Sequence, residues 1–469
     1  MSDPTDVSPT GDTPQAAEAS ASASSTTASS TGHSTKRGRR NLAGVALGNA
    51  LEWYDWTAYA VFASFFSTQI FAPEDPNAAI LATFAVFAVG FAVRPVGGIF
   101  FGWLADRHGR KASLLLAIAC ASGGMLLIAV APTYSQAGLL GAVVLLIARL
   151  LQGVAHTGEV AAAYTYVAEA APARRRGLWA SSIFTSGTAA ILVATILGAI
   201  LTSVLSKEAM TAWGWRLPFI LGAVIALFTL YLRRKLDETE AFTTKQQETQ
   251  ADRVVERTSS SAPAPKPGLV AGLWANRTAA LRVFAMGAAL GVFYYTWAIG
   301  APSWAVSALK IPAQSALWAS VIAQAIGLLA LPLVGSLSDR IGRRPVMIAF
   351  GLLGALLAWP LDLLAHGGTA WHFGLAMTGG LLVFALLGAV YPAVIAEFFP
   401  TGVRASGIAV PYALAATLFA GTAPYLRQWL GQINLNGVFV AYVAATALLT
   451  AWVMFRAPET RGIDLTEKR

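Results

Sequence analysis

Charge is scarce in this chain. Asp, Glu, Lys and Arg make up 12% of its 469 residues, where a soluble globular domain carries roughly 25%. That scarcity excludes an ordinary soluble enzyme. With 56% hydrophobic residues and a mean hydropathy of +0.58, it predicts an all-α, polytopic membrane protein. Cysteine is nearly absent: Cys120 is the one thiol, so no internal disulfide can form and thiol redox chemistry is not expected. No nucleotide-binding glycine loop and no metal-ligand cluster is evident. Neither ATP, a cofactor nor a metal is expected, and the N-terminus has no basic and apolar signal-peptide pattern. The net charge of +9 falls in short loops between apolar runs, so it predicts membrane topology rather than nucleic-acid binding.

What is present are twelve apolar runs long enough to cross a bilayer, which takes about 20 residues. They fall at 41–71, 78–104, 112–131, 138–168, 177–205, 213–232, 281–308, 315–336, 345–365, 370–398, 403–430 and 436–456. Basic loops lie on one side of them, at Lys36-Arg37-Gly38-Arg39-Arg40, Arg107/Arg110/Lys111, Arg174-Arg175-Arg176, Arg233-Arg234-Lys235 and Arg340/Arg343/Arg344. This asymmetry places both termini in the cytoplasm, and a multi-pass protein of the cell inner membrane is expected. Residues 1–40 are rich in Ser, Thr and Ala and predict a disordered tail. Residues 233–280 are largely polar and predict a cytoplasmic linker between an N-terminal bundle, 41–232, and a C-terminal bundle, 281–456. Residues 457–469 remain as a C-terminal tail.

The first span carries two carboxylates, Glu52 and Asp55, near the predicted midplane. A charge there costs about 2.5–3.5 kcal/mol on the insertion scale, so it marks a use. Their i, i+3 spacing sets them on one helical face with Asn49, Trp56 and Tyr59 nearby. Arg94 in the second span falls at similar depth, and its planar fork of donors suits a carboxylate, from the protein or from a substrate. In the fourth span Arg149, Gln152, His156 and Glu159 follow three- and four-residue steps along one face. Such a stripe can relay protons, or it can be bonded to backbone and neighbouring loops. Asp55, Glu52, Glu159 and His156 are thus the proton-coupling candidates. Arg94, Arg149, Asn49, Tyr59 and Gln152 are candidates for substrate binding. From the second half Tyr294, Trp297, Gln324 and Tyr391 join them, with packing as the alternative reading. Arg216 and Arg427 fall near the opposite rim, where snorkelling is expected.

The halves repeat. Gly102-Trp103-Leu104-Ala105-Asp106-Arg107-His108-Gly109-Arg110-Lys111 returns as Gly335-Ser336-Leu337-Ser338-Asp339-Arg340-Ile341-Gly342-Arg343-Arg344, and Glu169 and Pro172 return as Glu397 and Pro400. Duplicated six-span halves mark transporter folds whose site lies between the halves.

These repeated loops resemble the signature loop of the major facilitator superfamily. Asn49-Ala50-Leu51-Glu52-Trp53-Tyr54-Asp55, Gly90-Phe91-Ala92-Val93-Arg94-Pro95-Val96-Gly97-Gly98 and Trp213-Gly214-Trp215-Arg216-Leu217-Pro218-Phe219 are similar to its metabolite:proton symporter branch. That branch includes permeases for 2-oxoglutarate, citrate, shikimate and proline/betaine. Span four departs from it: Thr157 replaces the first glycine of the branch's Gly-Gly-Glu, and His156 precedes it. The resemblance implies two pseudo-symmetric six-helix bundles rocking about a central site. It also implies a cytoplasmic latch built from Asp106, Arg107, Arg110, Asp339, Arg340 and Arg343, with Glu397 and Arg404 at the same end. The expected function is proton-coupled uptake of a small organic metabolite, a mono- or dicarboxylate, by a monomer and without enzymatic chemistry. An osmolyte symporter, a uniporter, an exporter and a receptor on the same scaffold remain as alternatives.

Overall fold

A bilayer core offers no water to bond an open backbone, so each apolar run must satisfy its own peptide groups, and a helix does this within one segment. The computed structural model describes residues 50, 52–71, 74–108, 110–155, 159–234, 269–400, 403–463 and 465, and among these there are helices and no strands. Helix α1 covers 52–70. Helix α2 runs Pro76–Ala92 and resumes at Arg94–His108; α3 is Arg110–Val130; α4 comprises Leu140–Ala155 and Glu159–Ala170; α5 is Arg176–Val204 and α6 Leu217–Arg234. In the second half α7 is Arg277–Phe293, continued by a π-helical turn at Tyr294–Ile299. Helix α8 is Ala313–Ile341, α9 Arg343–Ala365, and α10 Ala370–Gly388 followed by Tyr391–Glu397. Helix α11 is Arg404–Ala415, a π-helical turn at Ala416–Ala420, then Ala423–Gln432; α12 is Asn436–Arg456. Nine of these segments are individually long and apolar enough to cross a membrane, and Leu115–Val130 and Leu140–Ala155 are shorter apolar helices.

Over the described residues helices occupy the twelve apolar runs, but several run further. Helix α8 extends to Ile341, α2 to His108, and α7 begins at Arg277, preceded by a short helix at Leu269–Ala275. Apolarity marks where lipid ends, whereas a helix stops where its backbone finds other partners. The tail expected at 1–40 and the body of the linker lie outside the described residues.

The duplication reappears in the packing. Helix α3 packs on α6 and α2 on α4, just as α9 packs on α12 and α8 on α10. Between halves, α5 lies along α8, while α4 meets the ends of α10 and α11. Small residues permit these close crossings. A Cβ on Gly153 would collide with the carbonyl oxygen of Gly90, so α2 and α4 cross nearly backbone to backbone. Gly177 and Gly335 face each other in the same way across the α5–α8 seam.

Candidate functional site

Helix α1 carries Asp55 into the protein interior, where it is 5% exposed. The Gln152 amide donates to its Oδ1 at 2.7 Å, and the guanidinium of Arg149 stands 3.8 Å from the same oxygen. Arg149 is fully buried. It is clasped between the rings of Tyr59, 3.9 Å away, and Trp56, 5.0 Å away. Tyr59 donates its hydroxyl to the carbonyl of Thr83 at 2.8 Å, which fixes that ring on α2. Arg94, the partner suggested by depth alone, instead lies over Phe91 at 3.6 Å and Trp56 at 4.5 Å. Asp55 therefore pairs with α4 rather than α2, and Arg94 faces the seam between the halves.

At that seam lies a small cavity. Its first-half wall is Trp53, Phe91, Arg94 and Phe184; its second-half wall includes Tyr294, Tyr295 and Tyr412. The second-half wall comes from the places where α7 and α11 loosen into π-helical turns. There the Gly300 N–H reaches the Tyr295 carbonyl and the Gly421 N–H that of Ala416, each five residues back. Such turns recur at functional sites because they re-aim side chains. Tyr294 stacks on Phe384 at 4.6 Å and meets Trp53 edge-on at 4.9 Å. Below it, Tyr164 meets Tyr412 edge-on at 5.5 Å, with Tyr391 beside both. Sequence reasoning placed Tyr294 and Arg94 here but missed Tyr412, Phe184 and Phe91. Their only signal was aromatic character within apolar helices, which packing residues share.

Other candidates go elsewhere. Gln324 donates to the Ala298 carbonyl at 3.0 Å, bracing α7 against α8. Trp297 lines a second cavity, inside the C-terminal half, with Thr296, Asp362, Arg427 and Phe439. The expectation that Arg427 snorkels at the rim is corrected. It is 5% exposed, lies over Trp304 at 3.6 Å and stands 3.6 Å from Asp362. Three aromatic rings cover it, so its charge turns inward to the carboxylate. Arg216 likewise donates to the carbonyls of Ala129 and Ala131, at 2.6 and 2.8 Å, rather than reaching for water.

The end bearing the signature loops is closed by crossed contacts. Arg176 of α5 donates to Glu397 of α10 at 3.0 Å, and Arg404 of α11 donates to Glu169 of α4. Each arginine also holds the carbonyl of its own half eight residues earlier, Ala168 or Ala396. The duplication thus exchanges one contact for the other. Asp339 accepts from the Gly177 and Leu178 N–H groups at 2.8 and 2.9 Å, capping the first turn of α5 from the opposite half. A carboxylate is favoured there by the unsatisfied N–H groups and the helix dipole. Arg343 locks that carboxylate at 2.7 Å and approaches Glu397 at 3.7 Å. The C-terminal segment joins the cluster: the Thr460 hydroxyl donates to Glu397 at 2.6 Å. Glu459 accepts from the backbone of Arg343 and Arg344 at the start of α9. Arg107 and Arg340, expected in this latch, have exposed side chains instead. They sit on the outward side of their helices, where water solvates them.

Asn49 and His156 lie outside the described residues, as do the side chains of Glu159, Asp106 and Arg110. Glu52 is half-buried one turn from Asp55. Among the described residues no cluster of three or more His, Cys, Asp or Glu could hold a metal.

A buried charge cluster beside a cavity, set at the junction of duplicated bundles and closed at one end by exchanged ion pairs, is the architecture of an alternating-access carrier. The sugar (and other) transporter family profile matches residues 42–468, and the chain belongs to that family. It is 35% identical to the alpha-ketoglutarate permease of Escherichia coli (strain K12), over 88% of this chain and 92% of that one. It is 32% identical to the citrate-proton symporter of Klebsiella pneumoniae, over 88% and 90%. It is 31% identical to the glycine betaine/proline/ectoine/pipecolic acid transporter OusA of Dickeya dadantii (strain 3937), over 89% and 83%. The fold is that of the crystallised D-xylose-proton symporter, with a TM-score of 0.70 and 20% identity over 90% of this chain and 98% of that one.

Proposed function

We propose that this protein is a proton-coupled symporter that brings a small organic carboxylate into the cell. The observation that carries the reading is the Asp55–Arg149–Gln152 cluster next to Arg94 at the central cavity. An ionised Asp55 offsets part of the positive charge of Arg149 and Arg94. A proton on Asp55 removes that neutralisation and leaves the cavity positive, which favours an anion at Arg94; the anion in turn favours the proton. Proton and substrate thus stabilise each other's binding, and the doubly loaded carrier reorients. The relatives named as a citrate-proton symporter and an alpha-ketoglutarate permease support this reading.

In this proposal the protein works as a monomer in the cell inner membrane, with both termini and the crossed ion pairs at the cytoplasmic face. The proton gradient is the energy source and no cofactor takes part. Asp55 carries the proton, with Glu52, His156 and Glu159 as secondary carriers. The cavity's aromatic wall favours one second reading, an osmolyte symporter, since a quaternary ammonium binds aromatic faces.

The test is uptake of labelled 2-oxoglutarate, citrate and glycine betaine into proteoliposomes holding the purified chain. An acid-outside gradient is expected to drive accumulation of a carboxylate, and Asp55→Asn to remove the gradient dependence while sparing exchange. Gradient-independent uptake, or uptake of glycine betaine alone, would overturn the carboxylate symporter.

A further inference from the structure

We infer that the α2–α11 seam is the gate at the end opposite the crossed ion pairs, and that Thr417 latches it onto a carbonyl freed by Pro95. This goes beyond the proposed symporter and needs only a carrier that opens at alternate ends, whatever its cargo.

The latch begins with a proline. Pro95 lies where α2 is interrupted, between Pro76–Ala92 and Arg94–His108. Proline has no N–H, so the carbonyl of the residue four positions earlier, Phe91, loses its helical partner. In an apolar interior such a carbonyl has to be bonded elsewhere. Thr417, from the other half, donates its hydroxyl to it at 3.0 Å.

Thr417 is set apart from other helical threonines by where its hydroxyl goes. Thr195, Thr202 and Thr378 donate to the carbonyl four residues earlier in their own helices. Thr422, further along α11, does the same to Leu418. That local bond is a common one for a threonine inside a helix. Thr417 lies in the π-helical turn at Ala416–Ala420, where the regular four-residue spacing is lost. Its hydroxyl turns across the seam instead.

The packing around this bond is close. Phe91 is fully buried. A Cβ on Gly421 would stand 2.7 Å from the Phe91 Cβ, so α11 rests directly on α2. From there the seam runs along Pro76–Ala92 and Ala423–Gln432. It ends at the Gln432 amide, which donates to the Asn77 carbonyl at 3.1 Å. Both of these bonds are neutral, whereas the opposite end is closed by Arg176–Glu397 and Arg404–Glu169. A neutral hydrogen bond is worth less than one to a charged group, so losing the latch shifts the balance by a modest factor.

The experiment is double electron–electron resonance on the full chain in lipid nanodiscs, in a Cys120→Ser background, without substrate or gradient. Spin labels are carried by Leu139→Cys and Trp371→Cys, at exposed positions of the two halves at this end. Thr417→Val, which keeps the shape and removes the donor, should raise the ratio of long to short distances about three- to ten-fold. Thr417→Ser keeps the hydroxyl and should stay near the parent. Pro95→Ala gives the Phe91 carbonyl an N–H from its own helix, so it should open this end as Thr417→Val does. Adding Thr417→Val to Pro95→Ala should then change little, because both act on one bond. Distances that Thr417→Val leaves unchanged, or shortens, overturn the latch. Additive single effects overturn the part given to Pro95. Gradient-independent uptake by the parent would overturn the symporter and leave the latch standing.

Discussion

Each half of the molecule buries an arginine against an aspartate inside a shell of aromatic rings, and the two pairs stand in different surroundings. In the first half Arg149 and Asp55 lie beside the seam between bundles, with the Gln152 amide on the same carboxylate oxygen. In the second half Arg427 and Asp362 lie within one bundle, behind α7, where Arg427 also reaches the Thr296 carbonyl at 3.4 Å. Asp362 opens toward the surface through His366, whose ring nitrogen is 3.5 Å away. The first pair joins α1 to α4 beside the cavity that the two halves share. The second moves with its bundle and braces the π-helical turn that presents Tyr294 and Tyr295. In the proposed symporter the first pair serves coupling and the second supports the wall of the cavity.

Breaking the first pair should have the largest effect. Asp55→Asn is expected to abolish accumulation driven by a pH gradient, whereas Asp362→Asn should leave it in place; vesicle uptake with an acid exterior measures both. If Asp362→Asn were the one to abolish accumulation, the assignment of coupling to the first half would be reversed. Next comes Arg149→Met, which strands the Asp55 charge in the interior. Removing one partner of a buried pair costs about 3–5 kcal/mol, to be seen as a lower melting temperature. Asp55→Asn in the same chain should recover much of that loss. Arg427→Met should cost less, about 1–3 kcal/mol, because the Asp362 side chain is 18% exposed and can be hydrated. It should also weaken substrate affinity more than turnover, because the brace on α7 is gone.

A smaller effect is expected at the closed end. Asp339→Asn keeps the shape but removes the charge that caps α5 and pairs with Arg343. It should shift the carrier toward the state open on that side, read as changed labelling of single cysteines at the two faces, with substrate preference unaltered. The smallest is a pH effect at Glu459. Partial burial alone would raise its pKa, but the backbone N–H groups of Arg343, Arg461, Arg344 and Thr460 outweigh this and hold it below the usual carboxylate range. A depressed folded pKa contributes stability that is present above the unfolded value and lost as pH falls through the folded one. Glu459→Gln should therefore melt lower than the parent at neutral pH, and the gap should close on acidification.

How much of this could be read from the residues differs between depth and direction. The apolar runs and the depth of Asp55 along the first of them follow from run length and helical rise, and helices occupy these runs over the described residues. Which arginine Asp55 meets depends on rotation about the helix axis, which counting does not supply. Arg94 and Arg149 have similar depth, and the tight α2–α4 crossing at Gly90 and Gly153 decides between them. Arg427 reads as a rim residue by its place near the end of α11. Its burial comes from Trp304 and Trp297, more than a hundred positions away in the chain. The repeated loops point to a charged cluster at one end, and Asp339, Arg343, Glu397 and Arg404 form ion pairs there. Glu459 and Thr460 looked like ordinary tail residues, since nothing local shows that a tail folds back on helix ends.

The facing glycines of α5 and α8 have a consequence for leakage. Where Gly177 and Gly335 meet, each backbone fills the space a neighbouring side chain would occupy, leaving no width for a file of water molecules. A carrier that runs on protons must prevent them from hopping along such a file while the opposite side is open. Methyl groups at these two positions would act as wedges, and a mutant of this kind should let vesicles lose their pH difference even when no cargo is present.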